Sequence, residues 1–162
     1  MLSALANTET PSRFPYDPFL KRFSLLDLPG TAQQAVICQF DVNHYRPALF
    51  ELLDIAMPAK LAGAKDSRCA DYLAGRCAAR QALAMAGADE VAPLRGASGE
   101  VLWPPGLQGA ISHHGDHALC VVSREGFPGI DLERVMRPEV CREVAGLVGH
   151  LSERRLLRES GM

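Results

Sequence analysis

Little net charge is present: 17 lysines and arginines stand against 19 aspartates and glutamates, a balance of -2 over 162 residues. A chain so close to neutrality exerts no general pull on nucleic acid or on an anionic lipid surface, so neither partner is expected. No apolar run approaches the roughly 20 residues that cross a bilayer, so no transmembrane segment is expected. The N-terminal stretch MLSALANTETPSRF lacks a basic segment followed by a long apolar one, and a secretion leader is not expected either. There is no CxxC pair. The five cysteines, Cys38, Cys69, Cys77, Cys120 and Cys141, are odd in number, scattered, and mostly set in apolar runs. Buried free thiols in a cytoplasmic protein account for them most simply. A P-loop, a dinucleotide-type glycine loop and a GxSxG nucleophile elbow are all absent, and so are internal repeats and low-complexity segments.

What is present suits a globular chain. Hydrophobic residues make up 48%, and the length is ordinary for one domain. Residues 1–30, rich in Pro and Thr with scattered Phe14, Tyr16, Phe19 and Phe23, read as an irregular arm. Ala35 to Asp41 is apolar and β-branched, which predicts a strand. Tyr45 to Ile55 has leucines near helical spacing and predicts a short helix. Asp66 to Ala86 is the strongest helix, with Asp66 or Ser67 at its start and Gly87 at its end. Ala70, Leu73, Ala74, Cys77, Ala78, Ala84 and Met85 form its core arc. Gly87 to Gly106 reads as a loop with a short strand at Val101 to Trp103, and the single tryptophan is expected to rest on the core. Helices are predicted at Pro138 to Leu147, with Val140, Val144 and Leu147 buried, and at Glu153 to Glu159 behind Ser152.

The centre of the chain is GAISHHGDHALCVVSREGFPGIDLER, residues 109–134. It predicts three strands, Gly109 to His113, His117 to Ser123 and Gly129 to Glu133, separated by Gly- and Asp-containing turns. Alternation places Asp131 and Glu133 on one face and Ile130 and Leu132 on the core side. Two neighbouring carboxylates repel unless something offsets them. A divalent cation such as Mg²⁺ does so with oxygen ligands, and pairing with Arg134 and Arg137 is the plainer alternative. On the long helix, Arg68, Tyr72 and Arg76 are spaced by four, with Arg80 at the edge of the stripe. Guanidiniums around a tyrosine suit a phosphate-rich ligand, and a solvated helix face is the plainer alternative. His113, His114 and His117 form an HHxxH cluster that would make a metal hydrolase if all three converged on zinc. Strand neighbours face opposite ways, however, and zinc needs three or four converging ligands. A single histidine acting as a phosphate contact or proton carrier is the other reading.

Taken in order, Leu73-Ala74-Gly75-Arg76-Cys77-Ala78-Ala79-Arg80, Trp103-Pro104, Gly109-Ala110-Ile111-Ser112-His113 and Gly129-Ile130-Asp131-Leu132-Glu133 resemble the 4′-phosphopantetheinyl transferases of the enterobactin-synthase component D type. The resemblance implies an α+β fold of two similar halves: the irregular arm 1–30, a first lobe 31–128, and a second half begun at 129–162. It implies transfer of the phosphopantetheine arm of coenzyme A to a serine of an acyl, peptidyl or aryl carrier protein, in siderophore or related biosynthesis, with Mg²⁺ as cofactor. By motif, Arg68 and Arg76 look like the helix arginines on coenzyme A phosphates. Ser112 and His113 look like the pair near its 3′-phosphate, with His114 flanking. Asp131 lies at the coenzyme and, with Glu133, looks like the metal pair. Three departures stand out. Ala110 replaces a common Ser. Glu100, in Gly99-Glu100-Val101, replaces a basic residue. The KExxxK element, with a third metal ligand and a lysine, does not occur by Met162, so a truncated member is expected. A non-catalytic fragment with residual coenzyme A binding is the alternative.

Overall fold

The computed structural model describes residues 9–10, 18–89 and 91–148. The chain divides into two compact units, residues 1–132 and 133–162. In the first, the strands are β1 (Glu9–Thr10), β2 (Leu20–Asp27), β3 (Gln34–Phe40), β4 (Leu94–Arg95), β5 (Val101–Leu102), β6 (Gln108–His114) and β7 (His117–Ser123). Its helices are α1 (Leu49–Leu52) and α2 (Asp66–Met85). Five strands form one antiparallel sheet in the order β1-β2-β3-β7-β6, and β4 and β5 form a separate hairpin. The mixed α/β expectation is met.

Alternation in β3 and β7 splits the sheet into two faces. Val36, Cys38, Ala118 and Cys120 meet α2 in the main core, together with Phe19, Phe40 and Leu73. Ala35, Leu119 and Val121 form a smaller cluster on the other face, against Ile130 and Leu132. The helix can lie close because it is built of small residues. A Cβ at Gly75 would stand 3.0 Å from Ile111 Cγ2 on β6. Ala70, Leu73, Ala74, Cys77 and Ala78 are buried as expected, whereas Ala84 is half-buried and Met85 exposed. Asp66 sits in the first turn behind Lys65, which makes no side-chain cap, so neither Asp66 nor Ser67 is the cap. The Asp66 carboxylate still suits the positive end of the helix dipole. Gly87, at φ 73, closes the far end, with Ala88 N–H donating to Leu83 O and Gly87 N–H to Ala84 O, a Schellman closure.

Several elements differ from the sequence reading. Residues 20–27, placed in an irregular arm, form an eight-residue strand. A bulge between Leu20 and Arg22 lets Leu20 and Phe23, three apart, reach the same core and hides the period of two. The predicted helix from Tyr45 is a 3-10 turn at Val42–His44 followed by the single turn α1. Residues 87–106 carry both β4 and β5, not one strand. Residues 129–132 have no strand partner among the described residues, although Ile130 and Leu132 do turn inward as expected. Cys38, Cys69, Cys77 and Cys120 are buried thiols, with no disulfide among the described residues. Burial pushes the Cys38 thiol well up and the Cys120 thiol up to about 12, which keeps both protonated and unreactive.

The second unit carries α3 (Pro138–Val148), which agrees with the expected helix and has Pro in its first turn. Val140 is half-buried and Val144 is 36% exposed, not buried. The predicted helix 153–159 lies outside the described residues. Among the described residues no helix is long and apolar enough to cross a membrane.

At the end of β3, Asp41 accepts from Asn43 N–H at 3.0 Å and pairs with Lys21 Nζ at 3.0 Å and His44 Nδ1 at 3.1 Å. The Lys21 bond, then the Asn43 amide, lower its pKa to about 2 from an ordinary 3.8. A depressed carboxyl contributes stability above its unfolded value and loses it as pH falls through the folded value. Asp41→Asn is therefore expected to flatten the fall in melting temperature between about pH 4 and pH 2. An unchanged profile would show that the Lys21 pair contributes nothing to folding.

Candidate functional site

Arg68, Asp71, Tyr72 and Arg76 recur at helical spacing on the N-terminal half of α2 and face the edge strand β6 and the β4–β5 hairpin. With Arg95 and His113 they line a cleft of about 170 Å³. Gly75 and Ile111 also border it; with no side chain on Gly75, the helix comes close to β6 here.

Arg76 is the unusual member. Its spacing places it on a polar stripe, yet it is only 3% exposed. Its guanidinium lies 4.8 Å from the Tyr72 ring centroid. Tyr72 in turn stacks on Phe50. Arg76 Nε and Nη1 are buried, with no hydrogen-bond acceptor among the described residues. A buried cation with unmet donors costs several kcal/mol. Its donors match an anion, and a phosphate or carboxylate would satisfy two at once.

His113 continues the cleft on β6. Arg68 Nη1 lies 3.2 Å from His113 Nε2. The guanidinium can only donate, so Nε2 is the acceptor and the ring proton sits on Nδ1. That side faces Asp71 Oδ2 at 3.7 Å. Burial pushes the Asp71 carboxyl above its usual range, while His113 and Arg68 pull it the other way. Asp71, the one acid among the described residues that line the cleft, is therefore held closer to neutrality than an exposed aspartate.

The far face of β6 carries a second cluster. Ser112 Oγ donates to Asp131 Oδ1 at 2.7 Å and accepts from Leu132 N–H at 3.0 Å. The same Asp131 oxygen accepts from Leu132 N–H at 3.0 Å. Ser112 thus pins residues 131–132 beside the sheet edge. Asp131 stays exposed with its second oxygen not engaged in any of these bonds. A hard, fixed carboxylate oxygen at an open edge suits Mg²⁺, which takes one or two protein carboxylates and keeps the rest of its shell for water and phosphate. Glu133 begins the second unit.

Residues 57–123 match the 4′-phosphopantetheinyl transferase N-terminal domain. Over 133 residues, 82% of this chain, the sequence is 37% identical to the enterobactin synthase component D of Salmonella typhimurium. It is 35% identical to that of Escherichia coli K12 over 138 residues, 83% of the chain. Over this part the chain is similar to the 4′-phosphopantetheinyl transferases. It spans 55% of the length of the Salmonella protein and 64% of the Escherichia coli one.

The structure brings part of the transferase motif set together and separates the rest. Arg68, Arg76 and His113 share the cleft. Ser112 and Asp131 share the other side of β6. His114 is the register partner of His117 across the turn, while the neighbouring His113 points into the cleft. His117 Nδ1 is taken by Asp116 Oδ1 at 2.7 Å. Zinc held by His113, His114 and His117 is thus not supported, because strand alternation divides them and no three ligating side chains converge among the described residues. Arg80 sends its guanidinium to the Leu53 carbonyl and does not line the cleft. Glu100 is turned from the cleft as well: its carboxylate lies over Gly96, where a Cβ would collide with Oε1. Sequence reasoning missed Arg95. The signal for it was the Gly96-to-Gly99 turn, which folds its strand back over the helix.

Proposed function

We propose that this chain binds coenzyme A and acts in the Mg²⁺-dependent transfer of its 4′-phosphopantetheine arm to a serine of an acyl, peptidyl or aryl carrier protein, within siderophore biosynthesis in the cytoplasm. The buried Arg76, with two donors unmet beside Arg68 and His113, carries this reading. Helix α2 supplies two guanidiniums for phosphate oxygens, and His113, held by Arg68 as the Nδ1–H tautomer, offers a ring N–H at the cleft wall. Fixed cations of this kind lower the energy of the departing adenosine 3′,5′-bisphosphate without reorganising. Ser112 orients Asp131. A divalent cation held by Asp131, and by Glu133 on the strength of the sequence, would neutralise pyrophosphate oxygens as the carrier serine attacks. The name of the relatives favours a siderophore pathway, and two similar α+β halves are the architecture that goes with this reading.

The test is the intact mass of an apo carrier protein incubated with the chain, coenzyme A and Mg²⁺. A gain equal to the phosphopantetheine arm is expected, with loss of that gain by more than about a thousandfold in rate for Asp131→Ala, in line with removal of a metal ligand at a phosphoryl centre. Coenzyme A binding without any mass gain would assign the chain to binding alone. Neither binding nor transfer would overturn the reading.

A further inference from the structure

The His113 ring is addressed at both nitrogens by one turn of α2. Arg68 Nη1 stands 3.2 Å from Nε2, which accepts only while the ring is neutral. Asp71, three residues further along the helix, brings Oδ2 to 3.7 Å from Nδ1. That is within reach of a charge and just short of a direct hydrogen bond. His113 is exposed and Asp71 half-buried, so solvent can deliver a proton to the pair. The other titratable or charged groups lining this cleft are Tyr72 and Arg76 from α2 and Arg95 from the β4–β5 hairpin.

With no anion in the cleft, the surrounding guanidiniums oppose a second proton on His113. A phosphate between Arg68 and Nε2 reverses this. It can accept from both at once, but only if the ring carries a proton on each nitrogen. The carboxylate behind the ring then gains as well. Burial disfavours the charge on Asp71 while His113 favours it, and an imidazolium offsets the cost of keeping it. We propose that Asp71 is a positioning residue that acts through His113: it holds the Nδ1–H side of the ring and lets Nε2 take up one proton from solvent as a phosphate of coenzyme A binds. The balance is one proton gained at Nε2 for each coenzyme bound, with no other bond made or broken. This rests on the coenzyme A reading and adds a proton that enters with the ligand. Because the complex holds the extra proton, affinity is fullest at low pH and falls as pH rises and the complex gives that proton up.

Calorimetric titration with coenzyme A tests it, between about pH 7 and pH 8.5, above the phosphate's own ionisation near 6. Two buffers of unlike ionisation heat at each pH count the protons taken up. Full uptake of one proton changes affinity about tenfold per pH unit. Wild type is expected to take up a large fraction of one proton near pH 7 and to weaken about fivefold to tenfold over the range. Asp71→Asn keeps the shape and removes the charge. It should bind about tenfold more weakly near pH 7, with little uptake and a flat profile, so that the two proteins converge near pH 8.5. Asp71→Glu should regain part of the pH dependence. Ring-nitrogen NMR of wild type, with His113→Gln to assign the signals, should show the neutral Nδ1–H form in the free chain and the imidazolium in the complex. An equal loss of affinity in Asp71→Asn at every pH, with uptake unchanged, would overturn the proposal, because the role would then be structural alone. Tighter binding by Asp71→Asn would overturn it too, by making Asp71 a competitor of the ligand. Binding by wild type without proton uptake would do the same and leave the coenzyme A reading standing. Absence of binding by wild type would remove both.

Discussion

Arg76→Met is expected to raise the melting temperature and, in the same protein, to cut coenzyme A affinity by about a hundredfold or more. The two effects have one cause. In the folded chain the Arg76 guanidinium is 3% exposed, and Nε and Nη1 meet no acceptor. Folding therefore takes a cation out of water and returns little for it beyond the contact with the Tyr72 ring, about 0.5–2 kcal/mol. Replacing a buried charge by an apolar side chain of similar length stabilises by about 1–4 kcal/mol. In a chain of this size that corresponds to a rise of roughly 2–16 °C. The ligand experiences the opposite change. Two charge-assisted hydrogen bonds at about 1.5–3 kcal/mol each are lost together, which sets the hundredfold as a lower figure. A melting curve and a titration on the same sample decide it. A melting temperature several degrees below wild type would show that Arg76 is held for the fold and not for a ligand.

The contrast between α2 and the hairpin shows what could be read from the sequence alone. A period of 3.6 over twenty residues with a glycine stop announces α2 and most of its core arc. The alternation of β6 and β7 and the turn between them are equally plain. Periodicity cannot say what lies over a face, so Arg76 reads as part of a polar stripe until the hairpin covers it. β2 is hidden by one extra residue that shifts its phase. β4 and β5 are two residues each, too short for any pattern, and with them Arg95 stays hidden. At Gly129 to Leu132 the alternation reports correctly which side chains turn inward, and it is silent on whether a neighbouring strand supplies hydrogen bonds.

The order of motifs in the sequence has a physical counterpart in the contact between Trp103 and Gly109, and it yields the second large prediction. A Cβ at Gly109 would stand 2.6 Å from Trp103 Cζ2 and Cη2 and 2.8 Å from the Val121 carbonyl. The ring could move away, but the carbonyl cannot, because it belongs to the β6–β7 ladder where Gly109 pairs with Val122 and Ala110 with Val121. Gly109→Val must therefore expel Trp103 or part the strands. Overpacking and the lost burial of an aromatic ring together cost roughly 3–5 kcal/mol. Trp103 directly follows β5, and β5 holds Arg95 through its pairing with Val101. A displaced ring should carry the hairpin, and Arg95 with it, out of the cleft. The milder Gly109→Ala is then expected to lose coenzyme A affinity to a similar extent as Arg95→Gln. The double variant should lose little more than either, since both act through one contact. Urea melts give the stability loss, and titration well below the transition gives the affinity. Full additivity would mean that Trp103 braces the core alone and that the hairpin keeps its place over the helix by other means.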